Sequence, residues 1–287
     1  MAKTGIVLEG GAMRGLFTAG ILDVMLENRI RADGMIGVSA GAAFGCNFKS
    51  GQIGRALRYN KKFCRDPRYC SWRSWLKTGD LFGADFCYHE LPEKLDPFDC
   101  AAFDADPMEF YLVCTDVYTG KAEYHRCPLA DPECFEWMRA SGSMPLVSRI
   151  VSVGGGRYLD GALADSIPLR FFENQGYDRN LVVLTQPAGY LKKPSAAMPL
   201  LRLAYRKYPK LLQIMEERHE KYNEAVWYVE EQAAAGRVLL LRPESPLPIK
   251  RITRDPDLLQ KTYDLGRRTA EKRLPELKSF LVDQGQK

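Results

Sequence analysis

Met35-Ile36-Gly37-Val38-Ser39-Ala40-Gly41 carries a short apolar run directly into a stretch of small residues, Ala40 to about Lys49, with helical character. Gly-x-Ser-x-Gly between a strand and a helix makes a sharp turn. The glycines leave room for neighbouring backbone, and the serine hydroxyl is pushed out at the tip. The helix that follows points its N-terminus at that hydroxyl, where developing negative charge is favoured. The reading is therefore a nucleophile corner at Ser39, with Gly37 and Gly41 supplying the space. A pentapeptide recurs by chance, so its weight depends on what surrounds it.

Upstream, Thr4 to Glu9 reads as a strand that runs into the glycine-rich loop Gly10-Gly11-Ala12-Met13-Arg14-Gly15 and then into a helix reaching about Asn28. Acyl transfer needs backbone N–H groups aimed at an oxyanion. Gly10, Gly11 and Ala12 are small enough to let the main chain approach a substrate. Arg14 reads as a brace for this loop or an attractor of anionic headgroups. Two nucleotide-binding readings compete for the same loop. A phosphate loop needs Lys-Ser/Thr where Leu16-Phe17 stands, and a dinucleotide fingerprint needs glycine where Ala12 stands, so both fit poorly.

Downstream, Phe110 to Thr115 reads as a buried strand with a partner at Lys121 to His125. Glu133 to Ala140 is helical and stops at Ser141-Gly142-Ser143-Met144-Pro145. Gly154-Gly155-Gly156 is a turn leading to Tyr158-Leu159-Asp160-Gly161, and Leu181 to Thr185 is another buried strand. Past Gln186, prolines mark a connection. Leu200 to about Ala235 is a long charged helical stretch broken near Pro209, Val238 to Leu241 is a strand, and Asp257 to Leu281 is a helix bent or broken at Pro275. Strands alternating with helices predict an α/β fold with a mostly parallel sheet covered on both faces.

Ser39 needs a proton acceptor. The chain has three histidines, His89, His125 and His219, and none sits in a motif. Ser39…Asp160…His219 satisfies the chain order of an ordinary α/β-hydrolase triad. In that fold, however, the oxyanion loop follows the third strand, whereas here it is the first loop of the chain. Asp160, before Gly161, reads by itself as a turn residue.

The glycine-rich loop at 10–15, Gly-x-Ser-x-Gly at 37–41 and Asp160-Gly161-Ala162 occur in order, and together they resemble the three signatures of the patatin-like phospholipase family. The resemblance covers about residues 5–190. It implies a patatin-like three-layer fold and a serine–aspartate dyad without histidine, with Ser39 as nucleophile, Asp160 as general base and the backbone of Gly10, Gly11 and Ala12 as oxyanion hole. Arg14, Gly15, Gly37, Gly41 and Gly161 support these groups, and no metal or cofactor is implied. Ala12 departs from the family, which often has a third glycine there. The division expected is a catalytic unit at 1–190, with a basic, aromatic, lid-like insertion at about 50–100, and a mainly helical region at 191–287 packed on the same unit.

Composition bounds the rest. With 46% hydrophobic and 27% charged residues the chain is an ordinary globular protein and not a disordered one. No run reaches a membrane-spanning length. The strand at residues 4–9 leaves no room for a secretory signal, so a cytoplasmic location is expected, with membrane contact only peripheral, at the inner face. The eight cysteines show no C-x-x-C spacing and are expected to be reduced thiols. Between Lys49 and Lys77 nine basic residues face one acid, Asp66, with Tyr59, Phe63, Tyr69, Trp72 and Trp75 among them. That mixture suits an anionic membrane surface, although it equally suits a solvated helical face over a core. No nucleic-acid motif accompanies it. The functional expectation is a lipid acyl hydrolase of phospholipase, lysophospholipase or esterase type. A catalytically silent lipid-binding protein is the alternative, and the His219 triad and nucleotide binding rank behind it. Headgroup, acyl-chain length and oligomeric state are not written in the sequence.

Overall fold

A computed structural model describes residues 3–281. Eight strands form one sheet: β1 (Lys3–Leu8), β2 (Gly34–Val38), β3 (Glu109–Asp116), β4 (Ala122–Arg126), β5 (Val151–Val153), β6 (Gly156–Asp160), β7 (Tyr177–Val183) and β8 (Val238–Leu241). The order β3-β2-β1-β7-β8 is parallel throughout. β4, β5 and β6 attach antiparallel at one side. β2 is buried at all five residues and β1 at all but its first, as expected for central parallel strands covered on both faces.

Helices α1 (Gly15–Glu27), α2 (Ala40–Lys49), α3 (Arg55–Phe63), α4 (Trp72–Thr78), α5 (Cys100–Ala105) and α6 (Pro132–Ser141) precede α7 (Leu169–Asn174), α8 (Met198–Ala204), α9 (Pro209–Ala234), α10 (Pro256–Lys272) and α11 (Leu274–Leu281). Alternation along β1 sends Ile6 and Leu8 into a core shared with α1, α2, α6, α10 and α11. Val7 goes into a core shared with α7 and α9 on the opposite face. The fold is therefore three-layered, α/β/α, and mostly parallel, as the sequence predicts. The long helical stretch divides at Pro209, which becomes the first residue of α9, a position where its missing N–H costs nothing. The closing helix divides at Arg273, and Pro275 falls in the first turn of α11, where its missing N–H has no helical partner to lose.

β3 brings the two halves of the site together. Its pairing with β4 spans Tyr111 to Thr115 and overlaps both other partners, so β2 and β6 must share the opposite edge. β2 ends there at Val38↔Val113, and β6 takes over at Cys114↔Asp160. The residue after Val38 and the last residue of β6 thus meet end to end. Among the described residues all eight cysteines are free thiols, and no helix is long and apolar enough to cross a membrane.

Candidate active site

Ser39 has φ 55° and ψ −120°, a conformation that costs a non-glycine residue roughly 1–3 kcal/mol and persists only where the surroundings enforce it. The enforcement is steric. A Cβ on Gly37 would lie 2.4 Å from the Ala42 nitrogen, and one on Gly41 would lie 2.5 Å from the Leu8 carbonyl oxygen. α2 can therefore start directly over the end of β1. A hydrogen bond locks the corner: the Ser39 N–H donates to Ser141 Oγ (2.9 Å), and Ser141 donates to the Val113 carbonyl (2.7 Å). Ser141 is fully buried. In sequence, the segment Ala140 to Pro145 resembles a family segment beside the active site, and no catalytic role is assigned to it.

Asp160 is 5% exposed. Its N–H donates to the Ser143 carbonyl (2.8 Å), so one loop holds the backbones of both residues. Its carboxylate accepts the Ala162 N–H (2.8 Å). Gly161 fits only as glycine, since a Cβ would lie 2.1 Å from the Val113 carbonyl oxygen. Burial pushes the Asp160 carboxyl above the usual carboxylate range. The Ala162 N–H, the positive charge of Arg218 and the Ser39 side chain pull the other way.

Gly10 packs against the corner, where a Cβ would lie 2.8 Å from the Val38 carbonyl oxygen and 3.0 Å from Ser39 Cβ. Ala12 takes φ 49°, so the missing third glycine is accommodated as a left-handed alanine. Among the described hydrogen bonds none uses the N–H of Gly11 or Ala12. Arg14 Nε lies 3.5 Å from the Gly11 carbonyl oxygen. Gly15 lets α1 approach Phe44 and Ala40 of α2.

Two cavities meet at Ser39, Ala12 and Met144. One, of about 960 Å³, is walled largely by apolar side chains of α2 and of residues 55–98, Phe44, Tyr59 and Leu91 among them. The other, of about 1250 Å³, is the polar cleft: between walls that are partly apolar it holds Asp160 together with Glu9, Arg14, Lys192, Arg218 and Arg251. Much of the basic, aromatic segment is thus interior wall: Tyr59, Phe63 and Tyr69 are buried. Among the described residues no histidine lines either cavity. His125 stacks on Trp137, His89 lies near Glu93 and Glu136, and His219 Nδ1 contacts its own helix at the Glu216 carbonyl. It is the neighbour of His219 that reaches the site, since Arg218 Nε donates to the Ala162 carbonyl (2.7 Å).

A strained serine at a strand–helix corner, a buried aspartate and a glycine loop thus gather at one end of the parallel strands. The patatin-like phospholipase model matches residues 6–172, more than half of the chain, and the protein belongs to that family. Residues 208–282 match a second model, described as a domain of unknown function (DUF6363). The chain is 26% identical over 273 residues to the uncharacterized protein YjjU of Escherichia coli, covering 92% of this chain and 75% of that one. It is 27% identical over 179 residues to the lysophospholipase NTE1 of Pyricularia oryzae, covering 61% of this chain and 12% of that one. It is also similar to VipD from Legionella pneumophila, with 12% identity and a TM-score of 0.43 over 95% of this chain and 67% of that one. The chain thus spans three quarters of the first relative and about an eighth of the second. Family membership supports lipid acyl hydrolysis in general terms.

Proposed function

We propose that the protein hydrolyses lipid carboxylic esters through a Ser39–Asp160 dyad. The observation that carries this reading is that Ser39 and Asp160 open onto one cleft that, among the described residues, no histidine lines. Asp160 accepts the Ser39 proton as Ser39 Oγ attacks the ester carbonyl. The N–H groups of Gly11 and Ala12, with Gly10 packed behind them, hold the oxyanion. Asp160 returns that proton to the departing ester oxygen, and the alcohol leaves through the polar cleft while the acyl chain stays in the apolar cavity. Water, deprotonated by Asp160, then releases the acid. A carboxylate is a weak base in water, and the burial that raises the Asp160 pKa compensates in part. Residues 3–190 supply the dyad, while 191–281 close the cleft. Peripheral contact with anionic membrane completes the reading, with α4 as the docking element.

The test is hydrolysis of a panel of lipid and short-chain esters. Ser39→Ala and Asp160→Asn are each expected to lower kcat by at least 10³-fold with the fold retained. His219→Ala is expected to keep wild-type turnover. A fluorophosphonate probe should label Ser39. A wild-type protein that neither reacts with the probe nor turns over any ester is instead the silent lipid binder.

A further inference from the structure

The polar cleft holds more positive charge than the dyad chemistry uses. Arg14, Lys192, Arg218 and Arg251 all line it. Among the described residues none of the four is in a salt bridge, whereas Arg55, Arg139, Arg242 and Arg267 each pair with a carboxylate. Two carboxylates share the cleft. Asp160 carries the proposed proton transfer, and Glu9 is committed to the Thr185 N–H (2.5 Å), Thr185 Oγ1 (3.0 Å) and Tyr222 hydroxyl (2.8 Å). Four cationic side chains against two carboxylates leave the cleft with an excess of positive charge, which an arriving anion would offset.

The backbones that carry Lys192 and Arg251 are tied to the site. Asn223 of α9 clamps the backbone of Lys192 from both sides, accepting its N–H (2.8 Å) and donating to its carbonyl (3.1 Å). The Lys192 ammonium sits 4.0 Å from the Tyr222 ring centre. The Arg251 carbonyl accepts the Met13 N–H (3.1 Å), which ties its loop to the one carrying Gly11 and Ala12. Arg218 spends one N–H on Ala162 and keeps its terminal nitrogens for another acceptor. A neighbouring cavity of about 810 Å³ shares Lys192, Arg218 and Arg251 with the cleft and extends it.

We propose that Lys192, Arg218 and Arg251, with Arg14 beside them, form a subsite for a phosphate monoester on the leaving-group side of Ser39. Two guanidinium forks and an ammonium match the shape and charge of phosphate. Lys192, Arg218 and Arg251 all lie beyond residue 172, where the patatin-like match ends, and Arg218 and Arg251 fall inside the 208–282 region. That region therefore acquires a role, reading the anionic part of the substrate. The assignment to substrate rests on the hydrolase reading; the anion site does not.

The experiment separates the two. Glycerol 3-phosphate, inorganic phosphate and glycerol are titrated into Ser39→Ala protein by calorimetry. Glycerol 3-phosphate is expected to bind and glycerol not to. Arg251→Gln and Lys192→Gln are each expected to weaken binding at least tenfold, with Lys192→Arg restoring most of it. Burial and the neighbouring charges of Arg218, Arg251 and Arg14, partly offset by Glu9, push Lys192 down to about 7. An arriving anion raises it again, so binding at pH 8 should take up protons, read as a dependence of heat on buffer ionisation enthalpy. Absence of binding by both phosphates, or binding that Arg251→Gln and Lys192→Gln leave unchanged, overturns the site. In the kinetic arm a 1-acyl-glycerol 3-phosphate is compared with the monoacylglycerol of the same chain. A tenfold or larger preference for the phosphorylated ester in kcat/KM, collapsing in Arg251→Gln, supports the substrate role. Phosphate binding without that preference overturns the substrate role and identifies a free-phosphate site. Phosphate binding with neither ester turned over supports the anion site and counts against the hydrolase reading.

Discussion

Asp160 carries two opposed demands. The base must be charged, and burial disfavours that charge. Because its folded pKa lies above its unfolded value, its contribution to stability is full below the unfolded pKa and is lost as pH rises through the folded one. At neutral pH the charged group is therefore a net cost. Asp160→Asn keeps the acceptor for the Ala162 N–H and removes the buried charge. It is expected to raise Tm in a thermal melt at pH 7.5, while activity is lost. An unchanged or lower Tm would count against the burial argument. The same shift places the acid limb of kcat/KM above the ordinary carboxylate value of about 4. A profile flat down to that value would remove Asp160 from the role of base. At this scale the sequence was informative where steric necessity dictates residue type. Gly37, Gly41 and Gly161 are glycines because a methyl group has nowhere to go. Arg218 was not legible. Glu216 to Lys221 reads as a solvated helix face, and which residue of that run turns inward depends on how α9 is rotated against the sheet. One step along the helix separates His219, which bonds its own turn, from Arg218, which reaches the cleft.

At the scale of elements, the parallel order and the strand–helix corner follow from apolar runs and glycine spacing, whereas the wall of the apolar cavity does not. Residues 50–100 break into short helices and a π-helical segment, Phe86–Leu95, that contains Pro92. No single period runs through them, and only tertiary packing makes them a surface. Another relation unreadable from local pattern is the crossing of α1 and α10. A Cβ on Gly266 would lie 1.9 Å from the Phe17 carbonyl oxygen, and one on Gly20 would lie 2.2 Å from that of Tyr263. Gly266→Ala gains about 1 kcal/mol of helix propensity, but it must push two backbones apart. Overpacking of that kind costs about 1–3 kcal/mol or more, and against backbone atoms the upper end applies. The expected outcome is a Tm lower by roughly 5 °C with the site intact. An equal or higher Tm would mean that the helices do not pack this closely.

For the whole molecule, charge is less concentrated on the surface than the sequence suggests. Of the nine cations between Lys49 and Lys77, Lys49 is buried on the carbonyls of Asp106 and Met108, Arg55 and Arg58 pair with Asp96, and Arg68 pairs with Asp66 and Glu90. What faces outward on α4 is Trp72 (67% exposed), Arg73, Leu76 (78% exposed) and Lys77. Inserting the two apolar side chains into a membrane interface contributes about 4 kcal/mol, and the two cations add about 1 kcal/mol each on an anionic surface. Such a sum gives weak, reversible association. In co-sedimentation, binding to phosphatidylserine-containing vesicles should exceed binding to neutral ones, fall with salt, and drop several-fold in Trp72→Ala. Equal binding to both vesicle types, or none to the anionic ones, would remove α4 as a docking element.

The strand order also sets a timetable for synthesis. β1 is bonded on one side to β2, about 30 residues downstream, and on the other to β7, whose last residue is Val183. At ribosomal rates of roughly 5–20 residues per second, one edge of the first strand made stays unpaired for on the order of 10–30 s. A strand buried at all but its first residue in the finished protein is thus, while the chain is being made, its longest-lived sticky edge. Misassembly should be most sensitive to events in that interval, long before the last helices exist to cover the sheet.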